Sequence, residues 1–243
     1  MESKQLLFRQ LFDQDTGTYT YLLADKNTRE AIIIDTLKSR VGQYVKLLEE
    51  LDLSLKYILD THVHADHVTG AYDLREKTGA SIALGAINAV NEADINLNDG
   101  DNLEFGNYSV KAISTPGHTE GCFTFNVENM LFTGDVLLYR SSGRVDFQGG
   151  SAKKLYDSVQ KLFTYPDETL VYIGHNYVGF TMSTIGEEKK YNNFVNENLS
   201  EEESIEKQEK RELPLPKYIS VAVPSNKIAG KVVVNEKGEV IEQ

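Results

Sequence analysis

Every histidine in this chain stands where a metal ion could be held. Three of the five fall in Thr61-His62-Val-His64-Ala-Asp66-His67, one in Ser114-Thr-Pro-Gly-His118-Thr, and the last in Ile173-Gly-His175-Asn-Tyr177. A carboxylate, Asp135, closes Leu131-Phe-Thr-Gly-Asp135 in the same manner. Imidazole and carboxylate are good ligands for divalent zinc, iron or manganese. A lone His after a strand is usually an ordinary polar loop residue, but here each of these segments follows a predicted strand. In the His-x-His-x-Asp-His loop, neighbouring donors can face two adjacent metal positions. His62 and His64 would serve the first, Asp66 and His67 the second, with His118, Asp135 and His175 closing the site from other loops. The same seven side chains can build a one-metal or a two-metal centre, and the spacing leaves that choice open.

The elements that must position them read as follows. Tyr19–Asp25 and Glu30–Asp35 are β-rich runs around a short polar turn, a hairpin. Val41, Tyr44, Val45, Leu48 and Leu51 recur at helical spacing, with Ser39 as the expected N-cap. Leu55–Asp60 is a short buried strand leading into the three-histidine loop. A helix over Thr69–Lys77 stopping at Gly79 and a strand at Ser81–Gly85 follow, then a turn at Asn98–Asp101. Further strands are expected at Asn107–Ile113, Cys122–Val127, Met130–Thr133 and Leu170–Ile173, with a helix over Ser151–Phe163. Strands and hairpins mixed with helices indicate a layered α/β architecture, and strand ends are rigid enough to aim ligands from several loops at one point. Ser200-Glu-Glu-Glu203 has capping-box spacing and opens a helix to about Arg211, ahead of Pro214 and Pro216. Its apolar content stops at Ile205, so it reads as a solvated surface helix, followed by an extended tail. No linker or repeat divides the chain, so residues 1–243 are taken as one domain carrying this charged helix and tail from about 197.

Composition narrows the function. Of 243 residues, 25 are Lys or Arg and 37 Asp or Glu, a formal net charge of −12. That excess opposes binding to nucleic-acid phosphates or anionic membranes. Apolar stretches are too short for a transmembrane helix. Met1-Glu-Ser-Lys-Gln5 has neither the apolar run of a signal peptide nor the Arg-rich character of a transit peptide. Cys122, the single cysteine, excludes an intramolecular disulfide and reads as a small buried apolar residue. A reducing, cytoplasmic location is therefore expected. No nucleotide-binding glycine pattern is present.

These segments together resemble the metallo-β-lactamase superfamily. Within it, Thr61–Gly70, Ser114–Thr119, Phe132–Asp135, Gly143-Arg144-Val-Asp146-Phe147-Gln148 and Gly179–Thr184 resemble the persulfide dioxygenases (sulfur dioxygenases) of the ethylmalonic-encephalopathy type. The likeness runs from about Gln10 to Asn226, including the late Leu-Pro-Leu-Pro and Ala-Val-Pro-Ser-Asn segments. It implies an αββα sandwich with the metal site at one edge. It also implies one Fe(II) per chain, held by His62, His118 and Asp135, with His64, Asp66, His67 and His175 supporting them or marking a second metal position. The implied reaction oxidises glutathione persulfide with O2 and water to sulfite and glutathione, the ion keeping positions open for both reactants. The resemblance further suggests a homodimer and a separate rhodanese-type sulfurtransferase as partner.

Glyoxalase II shares the His-rich loop, the Pro-Gly-His-Thr turn and a Gly-Arg segment, so a dinuclear thioester hydrolase is the alternative. Glyoxalase II proteins usually carry a further helical C-terminal domain, and the short stretch after His175 favours the dioxygenase. A metal-binding sensor without turnover is a third class. The chain departs from the family at Asn176, where an acidic residue is common, at Ser142, where Cys is, and at Val145, where Thr is. An anionic substrate on an acidic protein needs local positive charge. Arg144 is the expected partner for its carboxylate, against a structural pairing with Asp146, and Tyr177 the expected hydrogen-bond donor. Tyr21 and Phe147 are read as core or pocket wall.

Overall fold

Alternation in the strands sorts side chains to two cores. The computed structural model describes residues 5–234, 237 and 239–242; the reading of the N-terminal Met1-Glu-Ser-Lys segment lies outside them. One six-stranded sheet runs in the order β1 (Leu6–Asp13), β2 (Thr18–Asp25), β3 (Glu30–Ile34), β4 (Ser54–Leu59), β5 (Ser81–Gly85), β6 (Ile95–Leu97). The second is ordered from β7 (Asn102–Phe105) through β8 (Tyr108–Ser114), β9 (Phe123–Val127), β10 (Met130–Phe132) and β11 (Leu170–Tyr172) to β12 (Ser183–Thr184). On β2 and β3, Tyr21, Leu23, Ile32 and Ile34 point between the sheets, where they meet Val110, Ala112, Phe125 and Phe132. Their neighbours Leu22, Ala24, Ala31 and Ile33 point the other way, onto α1 (Val41–Glu50) and α2 (Ala71–Thr78) through Val41, Tyr44, Leu48, Ala71 and Leu74. The second sheet is covered by α3 (Ala152–Leu162), whose Leu155, Val159 and Leu162 are fully buried. Helix, sheet, sheet, helix: the architecture is the αββα sandwich of the metallo-β-lactamase fold, because a side-chain period of two buries both faces of each sheet.

Several elements depart from the sequence reading. The N-terminal run is a full strand, β1, paired along its length with β2 from Leu6↔Asp25 to Asp13↔Thr18; Arg9 and Gln10 break its apolar pattern because it is an edge strand. Ser39 does not cap α1. It lies in a single 3-10 turn, Lys38–Arg40, and Arg40 occupies the cap position without a side-chain bond. Short strands β6, β7 and β12 and the helix α4 (Ile185–Tyr191) carry too few residues for a period to show. The helix α5 (Glu201–Glu209) has the expected capping box, Ser200 with Glu203. Its inner face is polar rather than solvated, with Ser204 and Gln208 buried. The expected extended tail contains α6 (Ile219–Asn226), with Pro224 inside it, and a small two-stranded sheet of β13 (Val233–Val234) and β14 (Val240–Glu242).

Strand direction decides where the loops go. β3, β4 and β5 are mutually parallel, as are β10 and β11, and β8 is two antiparallel steps from β10. The C-terminal ends of β3, β4, β8, β10 and β11 therefore open at one edge of the sandwich, each just before a metal-competent residue.

Candidate metal centre

The segment after β4 delivers His62, His64, Asp66 and His67; those after β8, β10 and β11 deliver His118, Asp135 and His175. All but Asp66 are buried. Their donor atoms fall into groups whose members lie within 4.8 Å of one another: His62 with His118 and Asp135, and His64 with Asp66, His67 and His175. A third group, Asp35, Asp60 and His64, shares His64 with the second. All seven expected residues thus converge.

Backbone bonds lock the loops together. Phe123 N donates to Thr61 O across the sandwich at 2.8 Å, Gly174 N to Gly134 O at 2.8 Å, and Gly143 N to Asp135 O at 2.7 Å. Gly134 is required twice over: its φ is +52°, and a Cβ there would stand 2.5 Å from Thr61 Oγ1. A Cβ on Gly143 would meet Asp135 O at 2.3 Å and His118 Nδ1 at 2.8 Å.

Hydrogen bonding also sets which ring nitrogen faces the site. His118 Nδ1 donates to Arg144 O at 2.7 Å, leaving Nε2 as the lone-pair nitrogen. Thr61 Oγ1 donates to Asp35 Oδ2 at 3.0 Å, so its 3.0 Å contact with His62 Nδ1 is accepted from the imidazole. His62 Nε2 is then free as well. Burial drives His62 far below the ordinary imidazole range, helped by His64 and His118, and burial also lowers His118. Burial opposes the charge on Asp135, but His175, His118 and His62 overcome it and hold the carboxyl ionised. Two neutral imidazoles and one carboxylate oxygen are a donor set that fits a divalent cation and leaves the rest of its coordination shell open.

The second group is arranged differently. His175 lies between two carboxylates, Nδ1 at 2.8 Å from Asp135 Oδ1 and Nε2 at 2.8 Å from Asp66 Oδ2. Burial disfavours its charge, yet Asp135 and Asp66 raise it well above the usual value. Asp66 Oδ2 also accepts from His67 Nδ1 at 2.9 Å. His64 Nε2 donates to Asp35 Oδ1 at 3.1 Å; against the cost of burial, Asp35 pushes it up to about 9. His64 Nδ1 and His67 Nε2 are buried without a hydrogen-bond partner.

A cavity of about 520 Å³ opens onto His62, His118 and Asp135, walled by Leu138, Phe147, Tyr177, Pro214 and Pro216. Arg144 lies in this wall, bound through Nε and Nη2 to both oxygens of Asp146 at 2.6 Å. Tyr177 is exposed and stacks parallel to His175, ring centres 6.2 Å apart. Phe147 sets its ring edge-on to His118 at 5.7 Å. Tyr21 is buried between the sheets and its hydroxyl donates to Ile173 O at 2.7 Å, below the His175 turn. Cys122 is buried against Thr119, and burial pushes its thiol up to about 12. Ser142 meets Gln208 of α5 through its hydroxyl, and Asn176 Nδ2 donates to Tyr19 Oη at 2.8 Å.

Sequence reasoning did not single out three residues here. Asp35 organises Thr61 and His64. Asn226, ending α6, donates through Nδ2 to His64 O and His67 O, both at 2.9 Å, and accepts from Thr69 N at 2.9 Å. Arg211 lines the cavity onto which the triad opens. None carries a local signal beyond the Ala-Val-Pro-Ser-Asn likeness, because each acts on a segment far away in the chain.

Comparison with known proteins adds the lineage. Residues 14–94 and 83–175 match the family model described as the metallo-beta-lactamase superfamily. The chain is 42% identical over 229 residues to the mitochondrial persulfide dioxygenase ETHE1 of Mus musculus, covering 93% of this chain and 89% of the relative. The crystal structure of ETHE1 from Myxococcus xanthus superposes with a TM-score of 0.90 at 45% identity, over 92% of this chain and 99% of that one. A hydroxyacylglutathione hydrolase of Pelagibacter ubique is 39% identical over 163 residues, 65% of this chain and 66% of that protein.

Proposed function

From the premise that the chain belongs to the metallo-β-lactamase superfamily and to its persulfide dioxygenases, we propose that it oxidises glutathione persulfide with O2 and water to sulfite and glutathione. The observation that carries the reading is the triad His62, His118 and Asp135 opening onto a cavity, two imidazoles and a carboxylate with donor atoms within 4.8 Å of one another. The reaction balances without a further reductant. The outer sulfur loses four electrons on becoming sulfite, O2 accepts four, and water supplies the third oxygen. A single ferrous ion, which His62, His118 and Asp135 would hold, would supply the redox chemistry.

The chain's own residues do the rest. Arg144 O and Thr61 Oγ1 hold the two imidazoles in the tautomers that present Nε2. His175, hydrogen-bonded to Asp135 through Nδ1, fixes the carboxylate orientation. Phe147, Leu138, Pro214 and Pro216 exclude water and leave an apolar slot for the sulfur atoms. The persulfide is delivered in this reading by a separate sulfurtransferase, in a reducing compartment, to a homodimer. Among the described residues no helix is long and apolar enough to cross a membrane.

The rival, a dinuclear thioester hydrolase, draws on one observation: His64 Nδ1 and His67 Nε2 are buried and unpartnered, as ligands of a second ion would be. Metal analysis with an oxygen electrode separates the two. One iron per chain, with O2 uptake and sulfite formation in equal amounts on adding glutathione persulfide, is the expected result. Two metals per chain with cleavage of a glutathione thioester and no O2 uptake would replace this function by the rival.

A further inference from the structure

The cavity wall holds two guanidinium groups that are not equivalent. Arg144 has four of its five N–H groups engaged: two on Asp146, one on Leu213 O and one on Pro214 O. Its charge is matched by Asp146, and its bonds tie the Gly143–Phe147 turn to the 213–214 segment. Arg211 follows α5 and lines the same cavity. Only its Nη1 is engaged, on the neutral carbonyl of Ser142 at 2.6 Å, and its plane lies 4.7 Å from the centre of the Phe194 ring. Among the described residues no carboxylate is within ion-pairing distance of it. In a chain of net charge −12, an Arg held partly buried and unmatched stands out.

Its position is equally informative. Arg144 and Arg211 line both the metal-side cavity and an adjoining one of about 390 Å³. Gln208, buried with Oε1 unpartnered, lines the adjoining cavity. A partly desolvated cation without a counter-ion is costly until an anion arrives, and the free Nε and Nη2 edge of a guanidinium matches both oxygens of a carboxylate.

We propose that Arg211 is the carboxylate anchor of this site: it binds a carboxylate at the end of the persulfide carrier remote from the sulfur, while Arg144 shapes the wall through Asp146 and the 213–214 carbonyls. The substrate class named here, an anionic peptide persulfide, rests on the dioxygenase reading; the anchoring role of Arg211 is testable without it.

The test compares the iron-loaded protein with Arg211→Met and Arg211→Lys, using glutathione persulfide, the persulfide of glutathione diethyl ester, and calorimetric binding of glutathione. Arg211→Gln serves if the Met variant does not fold. The Met variant is expected to raise KM for glutathione persulfide about tenfold or more with kcat within about twofold. The esterified persulfide should be unaffected, the Lys variant should recover part of the loss, and glutathione affinity should fall by a similar factor. Unchanged KM and binding, or equal losses on both persulfides, would overturn the anchor. If the wild type oxidises neither persulfide, the dioxygenase reading falls, and calorimetry still decides: glutathione bound by wild type but not by Arg211→Met upholds Arg211, and no binding by wild type rejects it.

Discussion

Thr61 has one hydroxyl proton, and Asp35 takes it, which obliges His62 to donate from Nδ1 and keep Nε2 for a metal. One residue thereby joins the β3 end to the β4 loop and selects a tautomer. Thr61→Val keeps the shape and removes this link. We expect metal affinity to fall about 10–100-fold, read by chelator competition, with the secondary structure unchanged. Replacing His62, His118 or Asp135 by Ala removes a donor outright. Each variant should lose bound iron and O2 uptake together, and full activity in any one of them would show that the ligand set is wrong. At this scale the sequence was legible in kind: the seven metal-competent residues converge as their placement after strands suggests. What each nitrogen bonds to was not, since Asp35 is 26 residues from Thr61 and Arg144 is 26 from His118.

At the scale of elements, α6 matters more than its sequence suggests. With Pro214, Pro216 and Pro224 close together, this stretch reads as an extended tail; it folds as a helix that buries Ala222, Ser225 and Asn226, with Asn226 on the His-rich loop. The side-chain amide of Asn226 then makes three bonds to that loop's backbone. Asn226→Ala strips partners from two carbonyls and one N–H in the interior. A loss of about 1–3 kcal/mol is expected, measured by denaturant unfolding, together with weaker metal retention on dialysis. Full stability with full metal content would leave α6 no part in holding the site. Longer elements with a clear period, α1, α2, α3 and the β2–β3 hairpin, were readable because local pattern and burial agree there. The edge strand β1 and the short strands β6, β7 and β12 were not, because exposure and brevity erase the pattern.

Across the whole molecule, two sheets must stay stacked for loops from both to meet. Asp25, at the end of β2, spans them: it accepts from Asn107 N at 2.7 Å and Asn107 Nδ2 at 2.6 Å in the β7–β8 turn, and from Asn27 N at 2.9 Å. Burial would raise its carboxyl, but these N–H donors outweigh it and hold the group below the ordinary carboxylate range. A carboxyl with a depressed folded-state value stabilises the fold above its unfolded value, about 3.9, and that contribution is lost as pH falls through the folded value. Asp25→Asn should therefore melt below the wild type at pH 7, with the gap closing as the pH drops under about 4. Thermal scans of the metal-free protein at several pH values check this; a gap independent of pH would mean the charge is not what matters.

The sequence alone determined the inventory: which donors exist, that they follow strands, and, through its likeness to persulfide dioxygenases, which fold carries them. Those features are local, written in residue type and in periods of two and 3.6. Tertiary structure decided the partnerships: His175 between two carboxylates, Arg144 closed on Asp146 and the 213–214 carbonyls, Arg211 left with an open edge. A hydrogen bond depends on which groups the stacked sheets and the returning tail bring within about 3 Å, and no local pattern records a meeting such as that of His175 with Asp135, 40 positions away, or with Asp66, 109 positions away.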